Sequence, residues 1–367
     1  MAERLKDIFF TPQFLDSLIA ELVREYPDFE AGAFRVSVRN DGWEQKELKE
    51  RMRHIAGALR KHLPADYLVA LDILVKVAPH FSGFDGMIFP DFVEQFGGDF
   101  PTQSIAALLQ FTRYSSAEFA IRPFLKRDPG KILAAMQDWA GHQNFHVRRL
   151  ASEGCRPRLP WAMAIARLKE DPTPILPILE KLKDDPELYV RKSVANNLND
   201  ISRDHPDLVL GIAEKWLGHS PRTDWIVKHA LRSLLKAGNE RAMRLFGFGN
   251  PAAITVENLV VDPVRVRIGE SVAFSFDLVC NEPEEVMVRL EYAVYFVKAS
   301  GKKSPKVFQI KESRLGPGRH SFRKKQTFED RTTRKHYPGE HSLSILVNGK
   351  EKARADFQLD AALPGKV

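Results

Sequence analysis

The sequence has little cysteine and no long apolar run, and both shortages limit what the protein can be. Two cysteines occur among 367 residues, Cys155 and Cys280, too few and too far apart for a disulfide framework or a zinc site. No stretch approaches the ~18 apolar residues of a membrane-spanning helix. The charged N-terminal segment MAERLKDIFF lacks the apolar region of a signal peptide. We therefore expect a cytoplasmic protein with no membrane partner.

Several catalytic motifs are also missing. The chain has no glycine-rich phosphate loop and no His-x-Glu element followed by Cys-x-x-Cys, the zinc pattern of nucleobase deaminases. His142 and His146 have the i, i+4 spacing of a metal-ligand pair, but no third ligand accompanies them. We therefore expect neither a metal ion nor another cofactor.

Charge is unevenly distributed along the chain. The net formal charge is +7, yet the first 50 residues carry 7 basic and 11 acidic side chains. Residues 291–340 carry 13 basic and 5 acidic side chains. Local basic surfaces of this kind are typical of proteins that bind a polyanion, although Lys and Arg also serve simply to solubilise a surface.

Residues 1 to about 250 have the apolar spacing of amphipathic helices, including helices at about 66–78, 102–112 and 115–126. From about residue 118 the pattern repeats, with Val147, Val190 and Val227 at equivalent positions. A two-helix unit of about 40 residues is the HEAT-type period. Such units stack into a solenoid whose inner helices line a concave face. The sequence therefore predicts a helical-repeat domain over residues 1–250.

After about residue 250 the apolar period changes from 3.6 to 2, which indicates β-strands. Apolar residues alternate with other residues in runs at 264–268, 272–278 and 286–296. Asn348-Gly349 between two further alternating runs is a strong hairpin signal. About seven short strands over roughly 110 residues are typical of an immunoglobulin-like sandwich. We predict this β-sandwich over residues 257–362, so that the fold class is multidomain α plus β.

Polar residues recur at matching positions on the predicted inner helices. Arg149, Glu153 and Arg156 lie at i, i+4 and i+7, so one helix face presents all three. The neighbouring units add Lys192, Asn196 and Asp200 on one side and the i, i+4 pair Glu118 and Arg122 on the other. Such pairs are usually solvated salt bridges worth a few tenths of a kcal/mol. Their recurrence favours a column of basic side chains with embedded carboxylates on the concave face.

The segment 153–161, EGCRPRLPW, joins stiff prolines to Arg156, Arg158 and Trp161. The prolines restrict the backbone and limit further helix. Arginines on a stiff turn can contact neighbouring phosphates, and a tryptophan can pack on a sugar or base. The alternative is that Trp161 packs in the core of its repeat.

These segments resemble a known family, the bacterial AlkC and AlkD DNA alkylation repair glycosylases, and its AlkC branch most closely. The resemblance covers essentially residues 1–245 and is carried by RYSSAEFAIRPFL at 113–125, NFHVRRLASEGCRPRLPWA at 144–162 and DPELYVRKSVANNLNDISRDHP at 185–206. Some AlkC-like proteins also carry a C-terminal immunoglobulin-like domain. AlkD-like relatives have a tryptophan where this chain has Asn196, which leaves Trp161 as the aromatic wall.

The resemblance implies a DNA glycosylase of base excision repair that removes cationic alkylated bases, such as 3-methyladenine and 3-methylcytosine, without base flipping. The partner would be double-stranded DNA containing such bases, and the protein would be a monomer of the bacterial cytoplasm, associated with the nucleoid when on DNA. By motif, the catalytic cleft would be lined by Glu118, Glu153, Trp161 and Asp200. DNA contacts would come from Arg149, Arg156 and Arg158, to which we add Arg122, Lys192 and Asn196.

The expected mechanism follows from the charge of the lesion. A base methylated at N3 is cationic and leaves readily, so the remaining task is to stabilise an oxocarbenium-like sugar. A carboxylate near C1′ does this electrostatically and can orient or deprotonate water. We expect Glu153 or Glu118 in this role, supported by Asp200. No lysine stands out as a Schiff-base nucleophile, so we expect a monofunctional enzyme without a lyase step.

Two alternatives to an enzyme remain open. HEAT-type arrays are often non-catalytic scaffolds, with the β-sandwich here as a second binding module. A structure-specific DNA-binding protein without chemistry is the other alternative. Release of a methylated base from DNA would separate the glycosylase from both.

Overall fold

Helices occupy the described chain up to Leu245, and strands follow from Ile254 onward. The structure is a computed structural model that describes residues 5–40, 42–330 and 334–362. The α-helices are α1 (Leu5–Ile8), α2 (Pro12–Glu25), α3 (Ala31–Val38), α4 (Leu48–His62), α5 (Tyr67–Val77), α6 (Ile88–Phe96), α7 (Pro101–Phe111), α8 (Ile121–Arg127), α9 (Pro129–Trp139), α10 (Phe145–Gly154), α11 (Ala166–Glu170), α12 (Leu176–Lys181), α13 (Leu188–Ile201), α14 (Pro206–Trp216), α15 (Pro221–Ala230), α16 (Arg232–Lys236) and α17 (Glu240–Leu245). The strands are β1 (Ile254–Asp262), β2 (Arg265–Arg267), β3 (Ser271–Cys280), β4 (Val286–Val297), β5 (Lys303–Leu315), β6 (Gly318–Thr327), β7 (Gly339–Val347) and β8 (Lys350–Asp360).

These elements fall into two compact units, residues 1–230 and 231–367, so that α16 and α17 belong with the strands. The predicted succession of a helical part and a β-domain is therefore confirmed. The domain limits 1–250 and 257–362 stay predictions. Within the described residues, no helix has the length and apolar character needed to span a membrane.

The predicted two-helix units are present in the helical unit. The second helices of successive units stack, because α10 packs against α13 and α13 packs against α15, while the first helices α9 and α12 also pack together. α9 and α14 begin with Pro129 and Pro206, where the missing N–H has no intrahelical partner to lose. Both end at buried tryptophans, Trp139 and Trp216, which pack in the core as the repeat pattern indicates.

One predicted helix is shorter than expected. The pattern at 115–126 predicts a continuous helix, but residues 112–120 are mostly turns and α8 begins at Ile121. The Ser115 hydroxyl donates to the carbonyl oxygen of Gly83 at 2.7 Å, and Ser116 Oγ accepts from Arg149 at 2.5 Å. These two long-range hydrogen bonds tie the turn to distant parts of the chain. Glu118 therefore precedes the helix.

The β unit is a sandwich of two sheets. One sheet has the order β1-β3-β6 and the other β2-β8-β7-β4-β5, with the apolar side chains of both buried between them. The predicted hairpin joins β7 to β8 at Asn348 and Gly349, whose φ values are +47° and +77°. Two successive positive φ angles are what a type I′ turn requires, and Asn-Gly is the pair that adopts them most easily.

Candidate active site

A cleft of about 590 Å³ lies in the helical unit. It is lined by the turns near residues 83–87 and 112–119, by α10, by the segment 156–161 and by the start of α13. Three of its aromatic lining residues come from different parts of the chain, namely Phe84, Trp161 and Tyr189. Two of the predicted carboxylates, Glu118 and Glu153, also line it. The structure thus joins residues that are distant in sequence into one partly apolar site.

Arg149 connects the two cleft carboxylates. Its Nη1 lies 2.5 Å from Glu118 Oε2, and its Nη2 lies 3.4 Å from Glu153 Oε1. The guanidinium carbon sits 4.8 Å from the centroid of the Tyr189 ring, which covers it. Burial lowers the pKa of Arg149, but Glu118 and Glu153 raise it by more, so the net shift is upward. Arg149 therefore stays cationic and draws the two carboxylates together.

Arg156 extends this network away from the cleft. Its Nη1 lies 2.7 Å from Glu153 Oε1, and its Nε lies 2.9 Å from Asp200 Oδ2. Ser193 donates its hydroxyl to the other oxygen of Glu153 at 2.6 Å. Arg149 and Arg156 are both predicted DNA contacts. In the structure each one binds carboxylates and is mostly buried. Both arginines thus hold the carboxylates of the site, and their DNA contacts stay predictions.

Asp200 occupies a different position from the one predicted. It is 4% exposed, is not among the residues that line the cleft, and reaches the cleft through Arg156. Burial raises the pKa of Asp200, and the hydrogen bond and charge of Arg156 offset part of this rise. The predicted placement in the cleft lining is corrected accordingly, and a supporting role for Asp200 stays a prediction.

Arg122 does not face outward as a DNA contact would. Its side chain is fully buried and donates to the carbonyl oxygens of Gly154, Arg156 and Met163 at 2.6–2.9 Å. Burial lowers the pKa of Arg122 to about 10. The predicted DNA contact is therefore wrong, because a guanidinium occupied by buried carbonyls cannot reach a phosphate. Its predicted pairing with Glu118 is also wrong, since that residue lies in the turn before α8.

Trp161 projects from the segment that Arg122 holds. It is 61% exposed, and its ring centroid lies 6.3 Å from that of Phe84 across one wall of the cleft. Its φ is +63°, a left-handed conformation that costs a bulky residue on the order of 1–3 kcal/mol unless its surroundings hold it. Lys49 Nζ donates to its carbonyl oxygen at 2.7 Å. Packing of Trp161 in the repeat core is thereby excluded.

The remaining predicted DNA contacts lie outside the carboxylate network. Arg158 is about one-third exposed and forms a bidentate pair with Asp204, with distances of 2.8–3.2 Å. Lys192 is exposed on α13, and Asn196 is half-buried one turn further along. These positions leave Lys192 as the predicted contact most accessible to a phosphate, and the three DNA contacts stay predictions.

Sequence reasoning considered His146 only as a metal-ligand candidate and did not single out Tyr189, yet both line the cleft. Their rings meet edge to face at 6.0 Å, and burial, followed by the charge of Arg149, lowers the pKa of His146. The two residues immediately precede Val147 and Val190, which are equivalent in the repeat. The repeat alignment therefore contained a signal for an aromatic pair. Phe84, by contrast, comes from outside the aligned repeats.

Cys155 directly precedes Arg156 of the carboxylate network in the sequence. It is fully buried at the end of α10, where its Sγ donates to the carbonyl oxygen of Ala151 and lies 3.5 Å from Asn197 Nδ2. Burial raises the pKa of the Cys155 thiol to about 12. Within 5–40, 42–330 and 334–362, no three His, Cys, Asp or Glu side chains are arranged to hold a metal ion.

A further carboxylate, Asp91, is buried behind the cleft wall. A small cavity lies between it and the cleft residues Ser116 and Phe119. Its Oδ1 accepts no hydrogen bond from the described residues. Burial and then the charge of Glu94 raise the pKa of Asp91 to about 6, although Arg53 opposes the rise.

Asp91→Asn is expected to raise the free energy of unfolding by about 1–3 kcal/mol at pH 7.5 and by less than about 1 kcal/mol at pH 4.5. The folded state binds the Asp91 proton more tightly than the unfolded chain, whose pKa is about 3.9. The stabilisation that protonation of Asp91 gives the folded state is therefore complete below about pH 4, and it is lost as the pH rises through 6. Urea unfolding at both pH values measures the change in the free energy of unfolding. The substitution Asp99→Asn, at an exposed position, is the control. Equal gains at both pH values would contradict the expectation.

Family comparisons agree with this fold and site. The family described as DNA alkylation repair enzyme matches residues 112–234, which include Glu118, Glu153, Trp161 and most of the network. The family described as the C-terminal immunoglobulin-like domain of YhaZ matches residues 255–361, in agreement with the predicted type of β-sandwich. Fold and cleft together define a helical-repeat DNA alkylation repair protein with an appended immunoglobulin-like domain.

Two relatives cover almost the whole chain. The alkylpurine DNA glycosylase AlkC of Pseudomonas fluorescens, in a structure bound to DNA containing an abasic-site analogue, has a TM-score of 0.93 and 43% identity. That similarity covers 98% of this chain and 100% of that one. The protein YhaZ of Bacillus subtilis (strain 168) is 49% identical over 356 residues, which are 97% of this chain and 99% of YhaZ. The chain therefore belongs to the AlkC-like family of DNA alkylation repair enzymes.

Proposed function

We propose that this protein is a monofunctional DNA glycosylase that releases cationic alkylated bases, such as 3-methyladenine and 3-methylcytosine, from double-stranded DNA without base flipping. The observation that carries the proposal is the pair Glu118 and Glu153, held by Arg149 in a cleft with aromatic walls. The similarity to an alkylpurine DNA glycosylase bound to DNA supports the same function.

The two carboxylates are not equivalent, and their partners suggest a division of roles. Both oxygens of Glu153 accept hydrogen bonds, one from Arg156 and the other from Ser193. Oε1 of Glu118 accepts none from the described residues. We assign Glu118 to the reacting sugar and Glu153 to the support of the network.

In this assignment the C1′–N bond breaks with its electron pair passing to the cationic base, which leaves neutral. The negative charge of Glu118 stabilises the developing oxocarbenium ion. A water molecule then forms a bond to C1′ and transfers its proton to Glu118. Trp161 offers its exposed ring to the sugar or base beside the reacting atoms.

The test is incubation of the protein with methylated duplex DNA, followed by chromatography of the released bases. Release of 3-methylated bases by the wild type, and its large reduction in Glu118→Gln, supports the glycosylase. Salt-sensitive DNA binding without release would favour a structure-specific DNA-binding protein. If the protein neither bound DNA nor released bases, this result would favour a scaffold.

Lys192→Ala is expected to weaken DNA binding several-fold at every sequence and to reduce the slope of log K against log salt by about one. Lys192 is exposed on α13, whose first turn contributes Tyr189 to the cleft, so a phosphate contact there is sterically open. Fluorescence anisotropy at a series of salt concentrations measures the slope. Lys215→Ala removes the same charge from the first helix of the next unit and serves as the control. An equal change in both variants would rule out a specific contact at Lys192.

A further inference from the structure

We propose that Lys49 is a positioning residue that sets the distance between Trp161 and the turn that carries Glu118. The inference rests on the proposed glycosylase function, because it concerns the geometry of that site. Lys49 lies in the first turn of α4, outside residues 112–234, and is not itself among the residues that line the cleft.

One ammonium group contacts both sides of the site. Lys49 Nζ donates to the main-chain carbonyl oxygen of Trp161 at 2.7 Å and lies 4.6 Å from the centroid of the Phe119 ring. Phe119 directly follows Glu118 in the turn before α8. The side chain of Lys49 therefore joins the aromatic wall to the carboxylate turn by a charged hydrogen bond on one side and a cation–π contact on the other.

Trp161 needs such an anchor. Its left-handed backbone and its large exposed ring are both unfavourable unless neighbouring groups hold them. Arg122 fixes the flanking carbonyls of Arg156 and Met163, whereas the hydrogen bond to the carbonyl oxygen of Trp161 comes from Lys49. Without Lys49 the carbonyl oxygen of Trp161 loses its hydrogen bond, while the carbonyl oxygens of Arg156 and Met163 stay bound to Arg122.

The chemistry of the ammonium group suits this task. It supplies donors to a carbonyl oxygen and positive charge to a ring face at the same time, and a lysine stem buries its methylenes alongside. The substitution Lys49→Met keeps much of the side-chain volume and loses both polar contacts. The substitution Lys49→Arg keeps a cation with several donors. Comparing these two substitutions therefore separates the polar contacts from simple filling of space.

The activity test uses the full-length protein and single-turnover release of methylated bases from duplex DNA. Lys49→Met is expected to lower the rate constant by about 10- to 100-fold, because small displacements of catalytic groups have effects of this size. Its Kd for undamaged duplex should stay within about twofold, and Lys49→Arg should recover most of the rate. In a Trp161→Ala background, Lys49→Met should add less than about twofold, since the two residues then share one effect. Independent, multiplicative losses would overturn the proposal.

A second measurement does not depend on turnover. In protein labelled with 5-fluorotryptophan, the ¹⁹F resonance of Trp161 is assigned by its loss in Trp161→Phe. Lys49→Met should shift or broaden this resonance, whereas Lys49→Arg should leave it near its wild-type position. An unchanged Trp161 resonance in Lys49→Met would overturn the positioning role. If the wild type released no base while the resonance moved as expected, the glycosylase function would fail and the Lys49 contact would stand.

Discussion

Glu118→Gln is expected to lower the single-turnover rate constant of base release by about 10²- to 10³-fold, the usual effect of removing one preorganised electrostatic group. Glutamine keeps the shape of the side chain and can still accept the hydrogen bond from Arg149 Nη1, so the fold of the site should persist. What is lost is the negative charge beside the developing sugar cation. Oε2 is paired with Arg149, whereas Oε1 has no hydrogen-bond donor among the described residues and stays available to the sugar.

The measurement is quench-flow or manual sampling with enzyme in excess over methylated duplex, with binding followed separately by anisotropy. Glu170→Gln, an exposed residue on α11, makes the same chemical change away from the cleft and should retain the wild-type rate. Glu153→Gln should also slow release, but with loss of stability, because Glu153 joins Arg149, Arg156 and Ser193. A Glu118→Gln rate within about threefold of the wild type would remove Glu118 from the mechanism.

Arg122→Met is expected to lower the free energy of unfolding by about 3–5 kcal/mol and to abolish base release. The substitution leaves the carbonyl oxygens of Gly154, Arg156 and Met163 without their donor, and each unsatisfied buried acceptor costs roughly 1–3 kcal/mol. Release should fail because the segment that carries Trp161 loses both of its fixed ends.

Urea unfolding followed by far-ultraviolet circular dichroism measures this loss. Arg167→Met, at an exposed position on α11, is the matched control and should change stability by less than about 0.5 kcal/mol. The free energy of unfolding of Arg122→Lys should lie between those of the wild type and Arg122→Met, since one ammonium group cannot satisfy all the carbonyl oxygens. Unchanged stability together with a smaller salt dependence of DNA binding would instead support the original expectation of a phosphate contact.

The parts of the fold that sequence predicts well are those set by local periodicity. Val147, Val190 and Val227 recur at the repeat spacing because each is buried between stacked helices, at 2% exposure or less. The Asn348-Gly349 turn is equally local, since its positive φ angles follow from the two residues themselves. Neither feature requires knowledge of distant parts of the chain.

The parts that sequence predicts poorly depend on distant partners. The local sequence pattern predicts that Glu118 is helical. In the structure, Ser115 and Ser116 form hydrogen bonds with groups more than 30 positions away, and Glu118 lies in a turn. Arg122 reads as a surface charge, because nothing local indicates that three carbonyls from residues 154–163 will surround it. The repeat pattern predicts that the carboxylates and arginines cluster, but it does not predict the direction in which each side chain faces.

The burial of Cys155 has a consequence for the reactivity of its thiol toward alkylating agents. Electrophiles that methylate DNA also attack thiolates, the reactive form of cysteine. Because burial raises the pKa of the Cys155 thiol and leaves it no exposed surface, this cysteine is held in the thiol form and shielded from solvent. We therefore expect the Cys155 thiol in the folded protein to react slowly with alkylating agents, because they attack the thiolate form.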